Sequence, residues 1–187
     1  MLFPIIRQDS LSVHYAAIPN QGWPLFYAVN LLDGLPNAPY GSISNRKNWP
    51  TMISYSDSTS GIEPAMLAGF FVGWPKPPTP ETHLKILKQS YMIELAIDSE
   101  TEEIVGFVNA ISDGILAAYL PLLEVLPAYQ KRGIGRELIE RILSRLDGLY
   151  MIDLTCDADL QSMYQKLGFQ EMTAMMIRNF DHQSGRE

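Results

Sequence analysis

Between Leu122 and Gly135 the chain reads LLEVLPAYQKRGIG, an apolar run that enters a basic, glycine-bearing turn and leaves it as a helix. Beyond the turn, Ile134, Leu138, Ile139, Ile142, Leu143 and Leu146 recur every three to four residues, which gathers them on one helical face. The turn therefore lies at a helix N-terminus, where backbone N–H groups lack intrahelical partners and the helix dipole favours an anion. Gly133 and Gly135 let the backbone come close to a ligand, and Lys131, Arg132 and Arg136 add positive charge at the same place. Such a strand–turn–helix unit is a phosphate cradle.

Two common cradles are excluded. The dinucleotide fingerprint needs G-x-G-x-x-G after its strand, and the P-loop needs G-x-x-x-x-G-K-[ST]; neither spacing occurs. The string Gln130-Lys131-Arg132-Gly133-Ile134-Gly135 resembles instead the Q/R-x-x-G-x-G/A pyrophosphate signature of the GNAT superfamily of N-acetyltransferases. A second match lies downstream. Tyr150 to Thr155 is a short strand pattern, a Cys-Asp-Ala-Asp turn follows, and Leu160 to Leu167 reads as a helix ending at Gly168-Phe169. The run Tyr164-Gln165-Lys166-Leu167-Gly168-Phe169 is similar to the Y-x-K-x-G-F element that closes the superfamily's acceptor-side helix. Gly168 suits a left-handed position after the helix, and Phe169 can fold back onto it. Together the two motifs identify the chain as a member of this superfamily, and the GWPKPP loop with the Tyr119 to Phe169 stretch resembles a prokaryotic branch that has uncharacterised members.

The rest of the chain fits one domain. Strands are expected at about Thr51 to Tyr55, Tyr91 to Ile97, Ile104 to Ile111, Ile115 to Leu126, Tyr150 to Thr155 and Met172 to Asn179. Ser112-Asp113-Gly114 signals a hairpin. Ile62 to Phe71 reads as a short helix, and Thr79-Pro80 opens another, with Thr79 as N-cap and Pro80 at the first helical position. Gly73 to Pro78 (GWPKPP) is a stiff loop between them. The resemblance implies an α/β (α+β) fold: a mixed, mostly antiparallel sheet flanked by helices in a single domain at 50–180. Residues 1–49 form an N-terminal extension of unknown role, rich in Pro, Asn and Gly, and 181–187 form a tail.

Composition narrows the function classes. A net charge of −7 over 187 residues disfavours a nucleic-acid partner and suits a cationic amine. No apolar stretch is long enough for a membrane span, and Met1 to Ser10 lacks a basic n-region. The single cysteine, Cys156, forms no internal disulfide, so a cytoplasmic location is expected. The three histidines, His14, His83 and His182, show no metal spacing. A homodimer is compatible with the sequence.

The resemblance implies transfer of an acetyl group from acetyl-CoA, as cosubstrate and without a metal, to a primary amine on a small molecule or peptide. The alternative is a catalytically weak acetyl-CoA-binding module that acts as a sensor or through a partner. Backbone groups of Leu123, Glu124 and Val125 would clamp the cofactor as an added strand, and Lys131, Arg132, Gly133, Ile134, Gly135 and Arg136 would hold its pyrophosphate. A backbone N–H around Val125 would meet the oxyanion. Tyr164 matches the family's general acid toward the departing thiolate; the competing reading is an aromatic packing residue. Asp157 stands where the family often has a pantetheine-contacting asparagine, and it lacks the amide donor.

The general base is open. Glu124 lies on the cofactor strand but alternation turns its side chain away from Leu123 and Val125. Tyr119 falls near the place of the strand glutamate used by some members and is assigned to the substrate side. Asp113 and Asp153 read as a turn former and a surface carboxylate. Trp74, in the proline-stiffened loop, either borders the amine pocket or anchors the helices beneath it. Cys156 reads as a buried, inert thiol.

Overall fold

A computed structural model describes residues 52–185. Five strands form one sheet in the order β1-β2-β3-β4-β5: β1 (Ile53–Ser56), β2 (Met92–Asp98), β3 (Ile104–Ser112), β4 (Ala117–Val125) and β5 (Met151–Leu154). The first four pair antiparallel, and β4 pairs parallel with β5. Three α-helices accompany them: α1 (Pro80–Gln89), α2 (Ile134–Arg145) and α3 (Gln161–Gln165).

The two faces of the sheet carry separate cores. On one, the apolar stripe of α2 (Ile134, Leu138, Ile139, Ile142) is buried against Val105, Val108, Ala110, Leu123 and Val125. On the other, Phe70, Phe71, Leu84 and Leu87 pack on Ile93, Leu95 and Phe107. Gly106 allows the first contact to be close. A Cβ there would stand 3.2 Å from a Leu138 methyl and 3.3 Å from the Glu124 carbonyl oxygen.

Local signals held where the side chain acts on its own backbone. Thr79 accepts from the Thr82 N–H and Pro80 occupies the first turn of α1. After α3 the Phe169 N–H donates to the Tyr164 carbonyl and the Gly168 N–H to Gln165, with Gly168 at φ 96°. This is the Schellman arrangement, and its apolar contact is present: the Phe169 and Tyr164 rings meet edge-on at 5.6 Å.

Two elements differ from expectation. Ile62 to Phe71 forms only a 3-10 turn at Pro64–Leu67, because Gly69 at φ 85° and Phe71 at φ 60° take the chain out of helix. Met172 to Asn179 is not a strand: it joins no ladder among the described residues, and Met172, Met175 and Ile177 are exposed. Alternation alone does not make a strand, which also needs a ladder to pair with. Of the tail, residues 181–185 dock on the GWPKPP loop, where Gln183 Oε1 accepts from the Lys76 N–H at 3.1 Å. The 1–49 extension, and Thr51, where the first strand was expected to begin, lie outside the described residues.

Candidate active site

The site grows from an irregularity in β4. Asn109 of β3 faces Leu122, but Ile111, two residues on, faces Tyr119, three residues back, so β4 holds one extra residue around Pro121. Up to Leu120 the even positions, Ala118 and Leu120, face α2; beyond the bulge the odd ones, Leu123 and Val125, do so. Pairing with β5 covers only Ala117 to Leu120. The second half of β4 thus leaves its neighbour and opens a wedge. At the vertex the Tyr119 hydroxyl lies 3.0 Å from Thr155 Oγ1, tying the two strands where they part.

The register decides which backbone groups face the wedge. The Leu126 N–H donates to Val105 on β3 at 2.8 Å. Alternation then directs the N–H and C=O of Glu124 toward β3 as well, and those of Leu123 and Val125 toward the open side. Of the three residues expected to clamp a cofactor through the backbone, Leu123 and Val125 turn theirs to the open side and Glu124 does not.

At the end of the wedge lies the glycine turn. Gly133 adopts φ 84° as the N-cap of α2, and Lys131 is also left-handed at φ 61°. A Cβ on Gly133 would meet no atom within 4 Å, so protein packing does not account for a glycine there; the torsion and the open space before the helix do. Gln130 folds the turn back by donating from Nε2 to the Val125 carbonyl at 2.9 Å. Arg132 donates to the Ala128 carbonyl at 2.7 Å and stacks over Tyr129, whose hydroxyl donates to Asp98 at 2.8 Å. Arg136 is paired along the helix with Glu140 at 2.8 Å.

A cavity of about 100 Å³ joins these parts. Leu123, Val125, Lys131, Gly133, Ile134, Gly135 and Arg136, all expected, line it; Arg132 does not, being turned back to the preceding loop. Gln130, the first residue of the signature, lines it too, and three further lining residues were missed by the sequence reading: Tyr129, Leu160 and Met163. Leu160 and Met163 had a signal, since a spacing of three puts them on one helical face.

The remaining expected residues sit around this cavity. Tyr164 is buried on α3 beside Met163, and no described group bonds its hydroxyl. Burial, and next the Cys156 thiol, push its phenol far above the ordinary value. Asp157 stands at the N-cap of a 3-10 turn, but its side chain caps nothing, and burial with Asp159 beside it raises its carboxyl. Burial, then Asp157 and Asp159, also raise the half-buried Cys156 thiol, which disfavours a nucleophile. Asp113 accepts three backbone N–H groups in its hairpin and is held low by them, as a turn former is.

Glu124 and Trp74 lie on the other side of the sheet. The Glu124 carboxylate is buried and takes the Phe71 N–H at 2.7 Å on one oxygen and the Val72 N–H at 3.1 Å on the other. Burial raises its carboxyl against the pull of those two donors. Trp74 is half-buried against the Phe71 ring, centroids 5.1 Å apart, as an anchor beneath the loop would be. Among the described residues no helix is long and apolar enough to cross a membrane, and no cluster of three His, Cys, Asp or Glu residues is arranged for a metal.

Known proteins share this architecture. The family profile described as an acetyltransferase (GNAT) domain matches residues 90–171. The chain is 30% identical over 101 residues to the uncharacterized N-acetyltransferase ycf52 of Pyropia yezoensis, covering 52% of this chain and 58% of that protein. It spans about half the length of the curated relatives it matches. A solved structure from Deinococcus radiodurans R1, assigned as an acetyltransferase, is 46% identical with a TM-score of 0.70, covering 72% of this chain and 94% of that one. A GNAT family protein of Streptococcus pneumoniae TIGR4 is 26% identical with a TM-score of 0.57, covering 68% of this chain and 98% of that one. With the wedge, the glycine turn and these likenesses together, the chain belongs to the GNAT superfamily of acetyltransferases.

Proposed function

We propose that this protein transfers the acetyl group of acetyl-CoA to a primary amine by direct attack. The observation that carries this reading is one cavity lined both by the open edge of β4 and by the N-terminus of α2. A thioester arm can add to Leu123 and Val125 as a strand does, and a pyrophosphate can accept from the first N–H groups of α2. The Val125 N–H, aimed into the wedge, is a donor for the oxyanion of the tetrahedral intermediate. Tyr164 stays protonated at any working pH, because burial holds its phenol high. Its part is then a hydrogen bond to the developing thiolate, since full transfer to a group of ordinary thiol pKa would run uphill.

A second reading is favoured by one observation: among the described residues that line the cavity none is a carboxylate. A module that binds acetyl-CoA and acts as a sensor needs no base. Calorimetry with acetyl-CoA, followed by a thiol-release assay over a panel of polyamines, amino acids, aminoglycosides and peptide N-termini, separates the two. Amine-dependent release of CoA supports the enzyme. Binding without turnover on the whole panel supports the module, and absence of binding refutes both.

A further inference from the structure

Phe71 is an outlier of backbone geometry. A bulky aromatic residue at φ 60° is in the left-handed region, which a Cβ disfavours, and it sits between Gly69 at φ 85° and Gly73 at φ 80°. Such strain persists only where the surroundings over-determine it. Two things do so here. The Phe71 ring is enclosed by Trp74, His83 and Phe107, with centroids 4.9 to 6.2 Å away. And the Phe71 and Val72 N–H groups converge on one buried carboxylate, that of Glu124, one donor to each oxygen. Consecutive N–H groups that converge in this way form an anion nest. Among the described residues no cationic side chain pairs with Glu124, so the two main-chain donors are what holds its charge.

The position of Glu124 gives this contact a consequence for the site. Its neighbours Leu123 and Val125 line the cavity on the α2 side of the sheet, while its own side chain passes through to the opposite side. One strand position therefore joins the cofactor groove to the turn at 68–74. We propose that Glu124 is a positioning residue: its carboxylate fixes the Phe71–Val72 turn at a set depth on β4, and this sets the wall that the amine meets. The inference rests on the acetyltransferase reading for the word amine; the tie itself does not. It assigns Glu124 a role other than general base. Both oxygens already accept from backbone N–H groups, and the carboxylate points away from the cavity.

The test has a part that needs no turnover. In the wild-type chain, amide hydrogen exchange should find Phe71 and Val72 protected well beyond a surface turn, although Val72 is exposed. Exchange at open-chain rates would overturn the proposal, whatever the protein does with acetyl-CoA. Glu124→Gln replaces one acceptor oxygen by an NH2 that cannot take an N–H, and should speed exchange at 71–72 at least tenfold. Glu124→Asp, a methylene shorter, serves if the glutamine variant fails to fold, with the same expectation. Unchanged exchange in a folded variant refutes the tie. With an amine found by the thiol-release panel, Glu124→Gln should raise its KM about tenfold, hold kcat within about threefold and keep the acidic limb of the kcat/KM profile. A fall in kcat of about a hundredfold or more with loss of that limb would make Glu124 the base instead. If the panel yields no amine, the enzyme reading fails while the exchange result still decides the tie.

Discussion

Replacing His83 by leucine should abolish about 2 kcal/mol of acid sensitivity in this fold. His83 lies on α1 with 1% of its surface exposed, its ring among Phe70, Phe71 and Phe107 at centroid distances of 5.3, 4.9 and 4.3 Å. Neither ring nitrogen makes a well-formed hydrogen bond; the Leu67 main chain offers only a weak one. Burial pushes the imidazole down to about 4 from an ordinary 6.5. Since the folded pKa is the lower, the unfolded chain binds the proton first. Stability is therefore complete above about pH 6.5, falls as pH drops toward 4, and then levels. At pH 5 the unfolded imidazole is almost wholly protonated and the folded one about a tenth so, a ratio worth roughly 1.5 decades, or about 2 kcal/mol. Leucine has a similar volume and no nitrogen to desolvate, so stability at pH 7 should hold or rise. Urea unfolding of both proteins at pH 7, 6 and 5 measures the difference between the two curves. Other groups cancel in that difference, including Glu124, whose raised carboxyl favours the fold as pH falls. Parallel curves, or a His83 ring titrating near pH 6.5 in the native protein by NMR, would refute the reasoning.

Four further outcomes are expected. Arg145→Ala strips the buried Glu94 of its partner at 2.6 Å and should cost about 3 kcal/mol or more in urea unfolding, whereas a change near zero would show that water compensates. Gly133→Ala puts a Cβ into open space, so the free protein should lose only about 1 kcal/mol for the left-handed torsion. Acetyl-CoA affinity by calorimetry should then fall by about tenfold or more, and an unchanged Kd would remove the turn from the phosphate site. Tyr164→Phe keeps the ring contact with Phe169 and should leave stability and acetyl-CoA Kd nearly intact, while kcat falls by roughly ten- to a thousandfold; retained kcat would remove the Tyr164 hydrogen bond from the mechanism. Trp74→Ala should lower stability by about 2 kcal/mol through lost packing on Phe71, and a raised acceptor KM at unchanged stability would return Trp74 to the pocket rim.

Legibility in the sequence followed the range of the interactions. The Thr79 cap, the Gly168 turn and the stripe on α2 act within a few residues, and the residues themselves announce them. The glycine turn before α2 is of the same kind, since its glycines, cations and helix start are contiguous. The link between Glu124 and Phe71 spans 53 positions, and nothing near either residue signals it. The bulge in β4 was hidden for a related reason: Leu120, Pro121, Leu122 and Leu123 are all apolar, so alternation leaves no mark where the parity changes. Met172 to Asn179 failed in the opposite direction, with a strand-like pattern that joins no ladder among the described residues.

That hidden residue is what lets one strand serve both sides of the sheet. Continue the parity of Ala118 and Leu120 without a bulge, and Leu122 and Glu124 would face α2. A carboxylate would then be driven among Leu138 and Ile139, where neither finds it a hydrogen bond, and Leu123 and Val125 would leave the cavity. The extra residue around Pro121 reverses the order. It sends Glu124 to the side where the Phe71–Val72 turn supplies two donors, and turns the apolar pair toward the groove. Proline fits such a place because a bulge asks less of its missing N–H than a ladder would. The same distortion sits where β4 parts from β5, since pairing ends at Leu120 and Leu154. A single insertion in strand register thus opens the wedge, aims its backbone donors, and anchors the opposite wall.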